Sequence, residues 1–386
     1  MVSPREPGDT DDELRRPLDP ATSAAPDRSI GRHGSTLPIA SRYERITLAP
    51  LEDEASDDHS RDDGDTSHLT RVEYLIDESK SIVSENRSPD LPFRYSINPY
   101  RGCVHGCAYC YARPTHEYLG FGPGLDFETR VVVKPDAANL FEKFLRRKNY
   151  RCEPITFSGV TDCYQPVERK MQLTRDCLRV ADRFGQPVGI VTKNALVTRD
   201  IDVLSSMARR GLVHVYLSIT TPDTDLARRM EPRTSTPAAR FRAVRELSKA
   251  GIPVGVLFAP VIPGLNDHAM GDIVQTAARS GATTVRYSIL RLPTTVEAVF
   301  DDWLRRAVPE RRDKVLSQIA RYRNGKLNDS SFGNRMRGTG RAADDLSNLF
   351  RILRIKYQLT GEMPPAQTHH FKVPPLEDLS GQMTLF

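Results

Sequence analysis

Between residues 130 and 306 the chain alternates short β-branched apolar runs with longer amphipathic stretches, and few patterns restrict a fold more. The pairs are residues 130–133 then 137–147, 155–160 then 173–184, 188–192 then 201–210, 213–219 then 237–250, 254–261 then 270–280, and 284–290 then 296–306. Apolar runs of this length read as buried strands, and the stretches between them as helices with one apolar face. Parallel neighbours in a sheet need a long crossover, which a helix supplies. About six such units predict an α/β fold, a partial (β/α)6 barrel of TIM type. In such a barrel the chemistry sits on the loops that follow the strands.

Upstream of this alternation lies PYRGCVHGCAYCYARPT, residues 99–115, with Cys103, Cys107 and Cys110 within eight residues. A strand at 93–97 leads into it, and a helix is expected from Tyr109 to near Gly120, where GFGPG begins. Thiolates separated by three and then two residues can converge on one inorganic centre, so this loop is expected to hold a metal or cluster. The strand-end loops are polar: SGVTDCYQPVE carries Thr161, Asp162, Cys163, Tyr164, Gln165 and Glu168. Thr192, Lys193 and Asn194 follow the next strand, Ser218 and Thr220 the one after. Glu231 and Arg233 lie in MEPRTSTP, VIPGLND closes the fifth strand and Arg291 the sixth. Polar groups converging around a cysteine cluster suggest a cofactor cavity rather than a bare structural metal knot.

At 386 residues and 39% hydrophobic content the chain can bury a large core. Six cysteines are too sparse for a secreted disulfide framework and suit metal ligation in a reducing compartment. No apolar run approaches the ~20 residues of a membrane helix. MVSPREPGDTDDE lacks the apolar core of a secretion signal, so a cytoplasmic protein without membrane partners is expected. Charge is uneven: residues 1–70 hold 16 acidic against 8 basic side chains, so with +5 overall the remainder carries +13. A basic body of that kind suits a polyanion such as nucleic acid, although charge also simply solvates a protein.

The expected organisation is a disordered acidic tail over 1–68, with a short docked piece near 43–51, and a core domain with its lead-in over 69–306. A helical C-terminal extension follows over 307–360, with helices at 308–323 and 341–359, then an extended tail over 361–386. Between those two helices FGNRMRGTGRAAD places Arg335, Arg337 and Arg341 close together. That loop reads equally as solvated or as anion-binding and substrate-contacting.

CVHGCAYC matches the Cys-x3-Cys-x-aromatic-Cys motif of radical SAM enzymes, with Tyr109 as the aromatic residue. YSINPYRGC, TDCYQPVE, TK, EPRTSTPAAR and IPGLND resemble segments of the branch that includes spore photoproduct lyase and uncharacterised bacterial relatives. The likeness runs over roughly residues 93–300. It implies a [4Fe-4S] cluster on Cys103, Cys107 and Cys110, with one iron left open for S-adenosylmethionine (SAM). One-electron reduction, from a donor such as flavodoxin or ferredoxin, would then yield a 5'-deoxyadenosyl radical that abstracts hydrogen from substrate.

The same resemblance implies the cofactor contacts. Tyr109 would pack by the cluster, Thr161 and Asp162 would hold the methionine amino group, and Lys193 and Ser218 would serve the carboxylate and ribose, with Arg233 also within reach of the carboxylate. Cys163 departs from the branch, where proline is common. Photoproduct lyase uses a cysteine to return hydrogen to product, so Cys163 is a candidate donor, against the plainer role of buried packing assigned to Cys152 and Cys177.

The last residues, Gln382, Met383, Thr384, Leu385 and Phe386, resemble the Gln-x-x-Leu-Phe peptide by which bacterial replication and repair proteins bind the sliding clamp; docking on the chain's own domain is the alternative. The expected function is a radical SAM enzyme acting on an unidentified substrate, nucleic acid foremost, in the manner of a DNA-lesion lyase. Radical modification of tRNA, a peptide or a small molecule is the alternative. A zinc module with His105 or His116 as fourth ligand is the non-enzymatic rival.

Overall fold

The computed structural model describes residues 33–37, 39 and 72–375. Its strands are β1 (Glu73–Ile76), β2 (Val83–Glu85), β3 (Tyr95–Ile97), β4 (Tyr100–Arg101), β5 (Arg130–Val133), β6 (Ile155–Phe157), β7 (Val188–Thr192), β8 (Val213–Ser218), β9 (Val254–Val261) and β10 (Thr284–Ile289). Seven of them form one sheet in the order β10-β9-β8-β7-β6-β3-β2. All its neighbours run parallel except the β2–β3 edge, which is antiparallel. Helices Leu173–Phe184, Ile201–Ala208, Pro237–Lys249 and Met270–Arg279 supply the crossovers between β6 and β10. The six parallel strands and these helices give the partial barrel that the alternation predicts.

One strand of the expected six is different. Residues 130–133 form β5 of a separate three-stranded sheet, parallel to β1 and antiparallel to β4. The first barrel strand is instead β3, the one that leads into the cysteine loop and pairs with β6. A Val-rich run reports that a strand is buried, and nothing in its periodicity reports which sheet it joins.

The core lies between sheet and helices. Ile97, Phe157, Ile190, Val215, Leu217, Val256 and Phe258 fill the barrel side by side with Leu178, Leu204, Val244 and Val274 from the helices. Leu173–Phe184 shows the local logic: Leu173, Cys177, Leu178, Ala181 and Phe184 recur at helical spacing, all buried, and Gly185 at φ 63° ends the helix in the left-handed region.

Beyond the barrel come helices Val296–Ala307, Arg312–Arg321 and Arg341–Lys356, then a run of chain without regular structure to residue 375. That run crosses the N-terminal ends of four successive strands. Glu362 pairs with Arg286, Met363 reaches Gly255, Gln367 N donates to Gly211 O at 3.0 Å and Lys372 N to Phe184 O at 2.9 Å. Residues 376–386, including the clamp-like peptide, lie outside the described residues, as does the 43–51 piece. Within the span expected to be disordered, residues 33–37 pack against the cysteine loop, with His33, Gly34 and Ser35 buried. Among the described residues no helix is long and apolar enough to cross a membrane.

Candidate active site

The cysteine loop occupies the C-terminal end of β3 and is fixed by its backbone. Cys103 N donates to Phe127 O at 2.8 Å, Val104 N to the Gln165 side chain at 3.0 Å, and Ala108 N to Met230 O at 3.0 Å. Gln165 in turn donates to Gly102 O at 3.3 Å, so one amide clamps both sides of the first cysteine. The helical turn that follows is a 3-10 turn over Arg113–Leu119, beginning four residues later than expected and closing at Gly120 with φ 78°. The cysteines therefore sit on a non-helical loop, whose carbonyls a side chain can satisfy.

Arg113 does this. Its guanidinium donates to Cys107 O at 2.9 and 3.2 Å and to Gly124 O at 2.7 Å, and pairs with Glu128 at 2.5 Å, both partners fully buried. Burial alone would raise the Glu128 carboxyl, and the charge and hydrogen bonds of Arg113 and His33 together outweigh it and hold it low. Glu128 also accepts from Ser35 N at 2.9 Å and Gly34 N at 3.1 Å, which seats residues 33–37 on the loop. A Cβ on Gly34 would stand 1.7 Å from Gly106 O, so only glycine permits this approach.

With the backbone satisfied, the thiols are what the loop has left to offer. Cys103 and Cys107 are buried and Cys110 is partly exposed. Burial raises the thiols of Cys107 and Cys110, helped by Glu231 at the first and Cys103 at the second, so ligation needs a cation to draw off their protons. Among the described residues no three Cys, His, Asp or Glu side chains are arranged to hold a single metal ion. A polynuclear cluster, in which each thiolate takes a different iron, does not ask for that convergence. Of the two histidines of the zinc alternative, His105 faces Asp162 at 3.3 Å, Asn194 at 3.3 Å and the thiol of Cys103, and His116 lies between the rings of Phe121 and Phe127.

Beside Cys107 three loops meet. Tyr109 donates its hydroxyl to Glu231, which also accepts from Thr220 at 2.8 Å and pairs with Arg240, all of them buried. Arg240 reaches on to Ser218 O at 2.8 Å. Lys193 donates to Ser218 Oγ at 3.1 Å and stands 5.8 Å from the centre of the Tyr109 ring. Burial would lower the Lys193 ammonium, but the acidic groups around it, Glu231 foremost and Asp162 with it, hold it above its usual range, so it is a cation at neutral pH.

Asp162 organises the adjoining loops. It accepts from Thr192 at 2.7 Å, Lys193 N at 2.7 Å and Tyr164 N at 2.9 Å, and faces His105. Burial opposes its charge, yet His105 and these donors push its carboxyl down to about 2.

Of the residues singled out from sequence, Tyr109, Lys193 and Ser218 gather beside Cys107, and Asp162 adjoins them through the Lys193 amide. Thr161 is spent internally, its hydroxyl on Tyr100 O at 2.6 Å, and Arg233 extends toward His33 at 3.0 Å and Val104 O at 3.4 Å. Cys163 is fully buried in the main core, its thiol raised by burial and by Asp162. Sequence reasoning placed no weight on Arg113, Glu128, Arg240 or His33. The pairings of 113 with 128 and 231 with 240 leave no periodic trace; the one available signal was an arginine three residues after the last ligand.

Residues 97–277 match the family model described as the radical SAM superfamily. An uncharacterised protein of Mycobacterium tuberculosis is 37% identical over 279 residues, which covers 72% of this chain and 78% of that protein. The chain belongs to the radical SAM superfamily. Spore photoproduct lyase of Bacillus subtilis is 25% identical over 189 residues, 48% of this chain and 51% of the lyase. The structure of a spore photoproduct lyase complexed with dinucleoside spore photoproduct superposes with a TM-score of 0.52 at 18% identity, covering 74% of this chain and 79% of that one. This likeness shows the shared fold.

Radical SAM enzymes work with a [4Fe-4S] cluster, SAM and an external electron donor. The donor set here fits: three thiols on one rigid loop, no fourth thiolate beside them, and a lysine and a serine at the adjoining strand ends. Cys103, Cys107 and Cys110 would hold the cluster. When bound, cluster and SAM supply reductive cleavage of the sulfonium bond and a carbon radical able to abstract hydrogen. This chain's part is to keep the loop immobile through Gln165, Arg113 and Glu231, and to present the Lys193 charge beside it.

Proposed function

We propose that this radical SAM enzyme acts on nucleic acid, as a lyase-like or repair-type enzyme of damaged DNA. The observation that carries the reading is the cysteine loop held at the strand ends beside Lys193 and Ser218, on a basic body. The fold shared with a lyase seen with a dinucleoside photoproduct supports it. Lys193 and Ser218 are assigned to the carboxylate and ribose of SAM, Tyr109 to the cluster side of the cavity. Asp162 acts on the cofactor through the Lys193 amide it holds, and Thr161 and Arg233 shape the loop backbones. Flavodoxin or ferredoxin would deliver the electron. The setting would be the reducing cytoplasm, in keeping with six free cysteines. The C-terminal Gln382, Met383, Leu385 and Phe386 would recruit the sliding clamp, which binding of a tail peptide to purified clamp tests directly.

The deciding experiment is anaerobic reconstitution followed by a screen of ultraviolet-damaged DNA and of tRNA, reading 5'-deoxyadenosine and its deuterium content from labelled substrate. Deuterium carried from damaged DNA supports the reading. Transfer from tRNA alone would move the substrate to the RNA-modifying alternative, and transfer from neither would remove nucleic acid.

A further inference from the structure

Cys110 is followed by Tyr111, whose ring is about half exposed and whose hydroxyl donates to Gly159 O at 3.0 Å. The guanidinium of Arg291 lies over that ring, 5.0 Å from its centre. Arg291 closes β10 at the mouth of the barrel and is half-buried. Among the described residues it has no hydrogen bond and no ion pair, the ring of Tyr111 being its one close partner. Its neighbours bring both signs of charge, Arg335 and Arg323 against the one nearby carboxylate of Asp90, which makes no ion pair with Arg291. Arg335 is neutralised by Asp90 at 2.5 Å, so that carboxylate is taken. Behind it Arg323, 1% exposed, donates to Leu290 O and to Arg335 O at 3.1 Å, and leaves its Nε and Nη1 without a partner. Burial lowers both Arg291 and Arg323, with the Arg335 guanidinium adding to it at the first and Arg291 at the second.

Guanidinium groups gathered at the rim of the barrel, with the carboxylate of Asp90 held by Arg335 and none in direct contact with Arg291, cost stability in the free protein. An anion would relieve that cost. The flat fork of Arg291 suits the oxygens of a phosphate, and Phe332, 60% exposed beside Arg335, offers a ring face to a base.

We infer that Arg291 is a phosphate-binding residue for the substrate strand, backed by the buried charge of Arg323, and that it sets a backbone phosphate beside Tyr111 next to the cluster ligand Cys110. This rests on the nucleic-acid reading above. A phosphate contact here would anchor the strand without reading its sequence.

The test uses the full chain with its cluster reconstituted, and a fluorescein-labelled single-stranded DNA 12-mer followed by anisotropy across a salt series. Arg291→Gln should weaken binding about tenfold and reduce the slope of log affinity against log salt by about one contact's worth. Arg291→Lys should keep the slope and lose part of the affinity, because charge remains and the fork does not. Arg351→Gln, an exposed substitution on the Arg341–Lys356 helix, should change neither. Unchanged affinity and slope in Arg291→Gln, with wild type binding the 12-mer, would overturn the inference and leave the nucleic-acid reading standing. No binding by wild type would remove both. Loss of the cluster's visible absorption in Arg291→Gln would show that the residue shapes the loop instead, which also overturns the inference.

Discussion

Tyr109 and Glu231, 122 positions apart, meet in a buried hydrogen bond. Through it the cysteine loop is bound to the segment after β8, and through Arg240 that segment is bound to the helix Pro237–Lys249. The cysteine loop is thus held by a buried charged network rather than by apolar packing alone.

Breaking that network should be costly. Glu231→Gln leaves the buried Arg240 without its counter-ion and should lower stability by about 3 to 5 kcal/mol, read as a shift of the anaerobic denaturation midpoint. Glu231→Gln with Arg240→Met should recover a large part of the loss. A loss below about 1 kcal/mol in the single variant would mean that the pair does not carry the loop.

Lys193 brings its charge to the side of the cysteine loop, so on the proposed assignment its loss should appear in cofactor binding. Lys193→Met should keep full iron content while the SAM concentration for half-maximal 5'-deoxyadenosine formation rises about tenfold, as for one charge-assisted hydrogen bond. Unchanged SAM dependence would return Lys193 to a purely structural part.

His116 sets an acid limit on stability. Burial among aromatic rings pushes it down to about 4 from 6.5, so the folded protein stays neutral there while the unfolded chain takes up a proton. Stability should therefore fall as pH drops from about 6.5 towards 4, by on the order of 3 kcal/mol from this group, and be unaffected by it above 6.5. His116→Phe should flatten that limb in denaturation curves taken across the range. A variant with the same acid slope as wild type would contradict the assignment.

Cys163 lies in the core, and packing predicts a modest effect. Cys163→Ala should cost about 1 kcal/mol and leave products unchanged once the substrate is known. Altered products with normal SAM cleavage would restore the hydrogen-donor role that the resemblance implies.

Much of the barrel was legible because each strand and crossover helix states its own periodicity: 173–184, 188–192 and 254–261 are bounded in the structure as read from the chain. Sheet membership was not legible, and residues 130–133 were placed one sheet away from where they lie. The three thiols were legible because ligand spacing is local. Their supports were not, because Arg113 with Glu128 and Glu231 with Arg240 are chosen by the folded geometry. The same limit applies to Asp162 and Thr161, which the resemblance assigns to the methionine amino group and whose side chains bond to neighbouring loops.

The central claim is that Cys103, Cys107 and Cys110 hold an open cluster that cleaves SAM. The measurement that tests it most directly is 5'-deoxyadenosine formation by anaerobically reconstituted protein with dithionite and SAM, wild type against Cys103→Ala, Cys107→Ala and Cys110→Ala. The prediction is about four iron per wild-type chain with product formed, and no product from any of the three variants. Product from a variant, or a wild-type protein that takes up zinc and forms none, would contradict it.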